Sequence, residues 1–118
     1  MNENAQNYWA QQLFYDNFKG SNHIYSFWND MNEPSVFSTD SHTMPMANLH
    51  FKADGRSFQH RDLHNAYGAL HQKSSWKGML ERDDYQRRPF VLTRSFFLGS
   101  QKYGTFWTGD NNAYNAEL

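Results

Sequence analysis

Three stretches of strand length constrain this chain more than any other feature: "HIYSFWND", "RPFVLTRS" and "GTFWTGD". Each is largely apolar, aromatic or β-branched, and each ends in polar residues. Runs without polar alternation suit strands buried on both faces, the condition of a parallel sheet covered by helices.

The segments between them read as helices and loops. From Ala5 to Phe18, the spacing of Trp9 with Leu13, and of Ala10 with Phe14 and Phe18, predicts a helix that "KGSN" ends. Residues 32–57 are polar, contain Pro34, Pro45 and Gly55, and show no usable period, so they read as a long loop. Leu63, Ala66, Tyr67 and Leu70 form the stripe of an amphipathic helix over about His60 to Leu80, with Ser57 a candidate N-cap. Gly68 inside that helix costs about 1 kcal/mol relative to alanine. "FFLGSQKY" is a turn or helical link, "NNAYNAEL" starts as an N-capped helix, and the charges of "RDDYQRR" suit a solvated surface. Helix, strand, loop, helix, strand, link, strand, helix is the order of an α/β protein with a parallel sheet.

At 118 residues the chain has room for one small domain. Strands buried on both faces need more helices than this length supplies, so residues 1–118 are expected to form a single, incomplete slice of a larger sheet. The 4 Trp, 7 Tyr and 10 Phe exceed what a small core needs and suit flat faces against a sugar or base. A net charge of −1 with scattered Lys and Arg argues against nucleic acid. The absence of cysteine excludes disulfides and thiolate chemistry but leaves the compartment open. No apolar run is long enough for a membrane span, and the polar start "MNENAQNYWA" has no signal-peptide core.

Asp30, Arg94 and Asp110 all fall at C-terminal tips of the expected strands. If the sheet closes into a barrel, those tips meet at the face where barrel enzymes place their chemistry. Two carboxylates roughly 5 to 5.5 Å apart perform retaining glycoside hydrolysis, one as nucleophile and one as acid and then base. The competing reading of each acid is a loop or helix cap, which Asp110 before "NNAYNAEL" fits well. Arg94 could equally close an ion pair without substrate, and Trp28 and Trp107 could be plain core.

The stretches "FWNDMNEPSVF", "HRDLHNAYG", "RPFVLTRSFFLGSQKYG" and "WTGDN", in this order and spacing, resemble the catalytic barrel of glycoside hydrolase family 31. The likeness runs from about Asn7 to Leu118, and within the family it is strongest to the glucosidases that process N-glycans. The resemblance implies part of a TIM-type (β/α)8 barrel, with about three parallel strands and flanking helices. It implies Asp30 as the nucleophile and Asp110 as the acid and base of a retaining exo-α-glucosidase. Trp28, Met31 and Trp107 would line the pocket for terminal glucose, and Arg94 would bind sugar hydroxyls and the catalytic carboxylate. Glu33 reads as a supporting residue whose charge other donors hold. The same likeness implies an oligosaccharide or N-glycan substrate, the endoplasmic reticulum lumen and a non-catalytic β subunit as partner. Lysosomal or secreted α-glucosidases acting on malto-oligosaccharides share much of "DMNEP" and "GDN" and are the alternative.

No cofactor is expected. His60 and His64 share a helix face at i, i+4, but "HRDLH" lacks the Glu and third ligand of a zinc site, so a structural helix is expected there. "GDNNAYN" lacks the spaced acids of a calcium loop. Against the enzyme stand two other readings: a carbohydrate-binding module that holds sugar without cleaving it, and a truncated segment inactive on its own.

Overall fold

In a computed structural model, which describes residues 2–117, the chain builds a parallel three-stranded sheet backed by two helices. The elements in chain order are α1 (Glu3–Gln12), β1 (Phe27–Asn29), β2 (Leu49–Phe51), β3 (Ser57–Gln59), α2 (His64–Arg82), β4 (Val91–Thr93) and β5 (Thr105–Phe106). The sheet order is β1-β4-β5, with Phe27 opposite Val91, Asn29 opposite Thr93, and Thr93 opposite Phe106. Parallel neighbours joined by a crossing helix, here β1 to β4 through α2, form the repeating unit of an α/β barrel. The expected α/β class and parallel strands are therefore present.

The core is small. Leu13, Met79 and Val91 are buried together, with Phe27 and Trp76 packed against them. Each large side chain so buried contributes about 1.5–3 kcal/mol. α1 crosses α2 closely at Gly78, where an added Cβ would lie 2.4 Å from the Ala10 carbonyl oxygen. At the end of α2, Arg82 donates to the carbonyls of Leu13, Asn22 and Tyr25 and lies over the rings of Tyr15 and Phe27. That arginine is buried, so "RDDYQRR" is not wholly the solvated surface expected: its first residue pins α2 to the turn before β1.

Several elements differ from expectation. α1 stops at Gln12 rather than Phe18, and the Asn17 side chain donates to the Gln11 carbonyl and closes off the last turn. At the other end, the Asn2 side chain accepts from the Ala5 N–H as N-cap. Only Phe27–Asn29 of "HIYSFWND" is strand, because the carbonyls of Asn22 and Tyr25 are spent on Arg82 and Ile24 projects outward. The region expected to be one irregular loop contains the antiparallel hairpin β2–β3. Its turn closes with Lys52 N–H donating to Arg56 and with Gly55 at φ +82°, a conformation glycine adopts without penalty. Ser57 lies in β3 and caps nothing; α2 is instead preceded by a 3-10 turn at His60–Asp62. A 3-10 turn at Asn115–Glu117 replaces the capped helix expected from Asn111, and Leu118 lies outside the described residues. Among the described residues, no helix is long and apolar enough to cross a membrane.

Candidate active site

Asp30 stands one residue beyond β1 and Arg94 one residue beyond β4, at the same end of adjacent parallel strands. The ladder continues between them, the Arg94 N–H donating to the Asn29 carbonyl at 3.0 Å. Their side chains then converge. Arg94 Nη1 lies 3.1 Å from Asp30 Oδ1. Its Nε donates to Glu33 Oε1 at 2.8 Å and its Nη2 to Glu33 Oε2 at 3.1 Å, a two-pronged grip for which the planar guanidinium is suited. Ser35 completes the group, its hydroxyl accepting from Arg94 Nη2 at 3.1 Å and donating to Glu33 Oε2 at 2.6 Å.

The charges follow from these contacts. Burial alone would push the Glu33 carboxyl up, but hydrogen bonds from Arg94, Ser35 and its own backbone, with the guanidinium charge, together hold it below the usual carboxylate range. In return Glu33 foremost keeps Arg94 charged, and the negative charges of Asp30 and Asp110 add to that effect. Glu33 thus has the supporting position expected of it.

The turn that carries Asp30 is unusual backbone. Met31 has φ +54°, a left-handed conformation that costs an L-residue roughly 1–2 kcal/mol, and the peptide bond between Glu33 and Pro34 is cis. The Met31 N–H donates to Asp30 Oδ1 at 2.9 Å and the Met31 carbonyl accepts from Ser35 N–H at 3.0 Å. Both the Met31 and Arg94 contacts fall on Oδ1.

Beneath the charged group lies a buried amide. Asn32 donates from Nδ2 to Thr93 Oγ1 at 2.7 Å and accepts the Ser95 N–H on Oδ1 at 2.9 Å. Thr93 Oγ1 donates onward to the Ser95 carbonyl at 2.9 Å. Gly68 of α2 permits this arrangement, since a Cβ there would lie 2.3 Å from Ser95 Oγ.

Trp28 and Trp107 approach with ring centroids 5.8 Å apart and planes tilted by 59°. Trp28 is exposed and Trp107 half-buried, so the two rings present an open apolar wall beside Asp30. Between this wall and α1 is a hollow of about 410 Å³ lined by Trp9, Leu13, Phe27, Trp28, Asp30 and His71. A second hollow of about 490 Å³, lined by Tyr15, His23, Arg82 and Asp83, opens at the opposite, N-terminal end of the strands. In barrels that end serves stability, which is consistent with the structural contacts of Arg82.

The sequence profile of the Glycosyl hydrolases family 31 TIM-barrel domain matches residues 1–118. The chain belongs to glycoside hydrolase family 31. Among its relatives, the "Probable glucan 1,3-alpha-glucosidase" of Oryza sativa subsp. japonica is 46% identical over 113 residues, 96% of this chain and 12% of the rice protein. Among solved structures, the glucosidase II alpha subunit in its "alpha3-Glc2-bound" form has a TM-score of 0.83 at 45% identity, over 95% of this chain and 12% of that one. The same score, at 46% identity and the same coverage, is found with the catalytic subunit in the "ER glucosidase II heterodimeric complex" containing "the binding domain of regulatory subunit". This family 31 chain therefore spans about an eighth of the proteins it matches.

Of the residues singled out in the sequence, Asp30 and Arg94 are in direct contact, Trp28 and Trp107 pair, and Met31 binds Asp30 through its backbone. Asp110 lies past β5, exposed, and its charge reaches Arg94. His60 and His64 hydrogen-bond each other at 2.9 Å, and His60 binds His50 at 2.9 Å, so His60 spends both ring nitrogens on other imidazoles. No group of three or more metal-ligating side chains able to hold an ion occurs among the described residues. Two contributors to the site were missed in the sequence: Asn32 and Ser35. For Asn32, the available signal was a buried-type amide set between two acids of one motif.

Proposed function

We propose that residues 1–118 are one incomplete segment of the catalytic barrel of a retaining exo-α-glucosidase, inactive by itself and active within the full-length protein. The observation that carries this reading is the contact of Arg94 with Asp30 at the tips of adjacent parallel strands, beside the Trp28–Trp107 wall. The guanidinium and the Met31 N–H both engage Oδ1, and Oδ2 is the attacking atom.

In the first step, Asp30 Oδ2 forms a bond to the anomeric carbon of the terminal glucose as the glycosidic C–O bond breaks. Asp110 gives its proton to the departing oxygen. In the second step, water gives a proton to Asp110 while its oxygen bonds to the anomeric carbon; the Asp30 ester breaks and α-glucose leaves with retained configuration. Trp28, Met31 and Trp107 flank the ring. Arg94 binds sugar hydroxyls as well as the nucleophile.

The substrate we propose is α-1,3-linked glucose on an N-glycan, in the endoplasmic reticulum lumen, with a non-catalytic β subunit as partner. The likeness to the rice "Probable glucan 1,3-alpha-glucosidase" and to the glucosidase II alpha subunit supports this choice. The test is to supply the full-length protein with an α-1,3-linked glucose disaccharide and follow the product by proton NMR. Initial release of α-glucose is expected; β-glucose as first product, or binding without cleavage, would refute the reading. Faster cleavage of maltose would transfer the protein to the malto-oligosaccharide alternative.

A further inference from the structure

Asn32 does more than fill space between two acids. It is 3% exposed, and its amide joins the turn carrying Asp30 and Glu33 to the two residues on either side of Arg94. Thr93 on one side is fully buried and uses its hydroxyl both to accept from Asn32 and to donate to the Ser95 carbonyl. The Ser95 N–H on the other side is taken by Asn32 Oδ1. Two links therefore span the same pair of strand tips: a dry amide link below, and the partly exposed Arg94–Asp30–Glu33 link above. Water competes with the upper link and not with the lower, so the lower one sets the register in which the upper one forms.

From this geometry we infer that Asn32, acting through Thr93 and Ser95, is a positioning residue for the reaction, fixing Asp30 relative to Arg94 without touching the sugar. The inference rests on the α-glucosidase reading above. A nucleophile displaced by about 1 Å loses on the order of 100-fold in rate, while substrate binding by the rest of the pocket is largely retained.

The experiment compares Asn32→Ala, Thr93→Val and the double variant in the full-length protein, each shown by circular dichroism to be folded at the assay temperature. Each single variant is expected to lose about 30- to 100-fold in kcat with KM changed less than about threefold, and the double variant to be no worse than the poorer single. The loss should persist with α-glucosyl fluoride, whose leaving group needs no acid, because the defect lies in attack by Asp30; an Asp110→Ala variant should recover on that substrate. Folded single variants within threefold of wild-type kcat, losses that multiply in the double variant, or a loss carried by KM would each overturn the inference. If Asn32→Ala does not fold, the kcat of Thr93→Val decides the question alone. A wild-type protein that cleaves no α-glucoside, by contrast, would bring down the underlying reading.

Discussion

Arg94 binds Glu33 more closely than it binds Asp30: two hydrogen bonds, at 2.8 and 3.1 Å, tie it to Glu33, and one contact at 3.1 Å reaches Asp30. The guanidinium is thus anchored by one carboxylate so that a single remaining nitrogen can meet the other. An arginine anchored in this way offsets part of the charge of Asp30, the nucleophile proposed above, through one of its two oxygens.

Replacing Glu33 by glutamine removes the anchoring charge and frees Arg94 to pair fully with Asp30. The expected result is a fall in kcat of at least about 10-fold, together with a stability loss of about 1 kcal/mol, kept small by solvent screening of a partly exposed group. Thermal melts and initial rates on the full-length protein check both. Unchanged kcat would mean that Glu33 does not govern how Arg94 meets Asp30.

Arg94→Lys keeps the charge but cannot reproduce the fork that reaches Glu33, Ser35 and Asp30 together. A loss of at least about 100-fold in kcat/KM is expected, measured against the same α-glucoside substrate. A lysine variant within about threefold of wild type would show that charge alone suffices.

Acidification should loosen the hairpin and the start of α2 before it reaches the charged group. Burial lowers the pKa of His50 and His60 from 6.5 and takes His71 down to about 4. Each of these imidazoles binds a proton more readily when unfolded. Stability is therefore full above pH 6.5 and declines towards about pH 4 as the unfolded state takes up protons that the folded state resists. Glu33, whose folded pKa is depressed below 4.5, adds its own loss below that value. Hydrogen exchange of residues 49–72 should accelerate between pH 6.5 and 4.5 while residues 91–94 stay protected; the reverse order would contradict the assignment.

Two glycines of α2 should separate stability from activity. An alanine Cβ at 78 would lie 2.4 Å from the Ala10 carbonyl oxygen, and one at 68 would lie 2.3 Å from Ser95 Oγ. Both substitutions should cost about 1–3 kcal/mol by overpacking. Only Gly68→Ala pushes on the residue beside Arg94, so it alone should lower kcat in the folded population. Equal kcat for the two variants, from active-site titration, would rule out that distinction.

Much of this was legible from pattern. The runs around Phe27, Val91 and Phe106 announced a parallel sheet because burial on both faces leaves no polar alternation. The tips of the first two runs carried Asp30 and Arg94, whereas the third strand stops at Phe106 and leaves Asp110 four residues beyond it. What escaped were features written in single side chains. Arg82 takes up the Asn22 and Tyr25 carbonyls and shortens β1, and no periodicity encodes that. The hairpin was hidden because Leu49–Phe51 is too short for a period, although Asp54-Gly55 was a turn signal. Asn32 and Ser35 meet partners near residue 94, and contacts at such sequence separation are set by the fold.

The most direct test of the central claim is covalent capture. The full-length protein is incubated with a 2-fluoro-glucosyl probe, whose slow second step traps the glucosyl ester, then digested, and the modified peptide is sequenced by mass spectrometry. The label is predicted on Asp30, and labelling should drop sharply when Arg94 is changed to lysine. A label on Glu33 or Asp110, or none on an enzyme that still cleaves α-glucosides, would contradict Asp30 as the nucleophile.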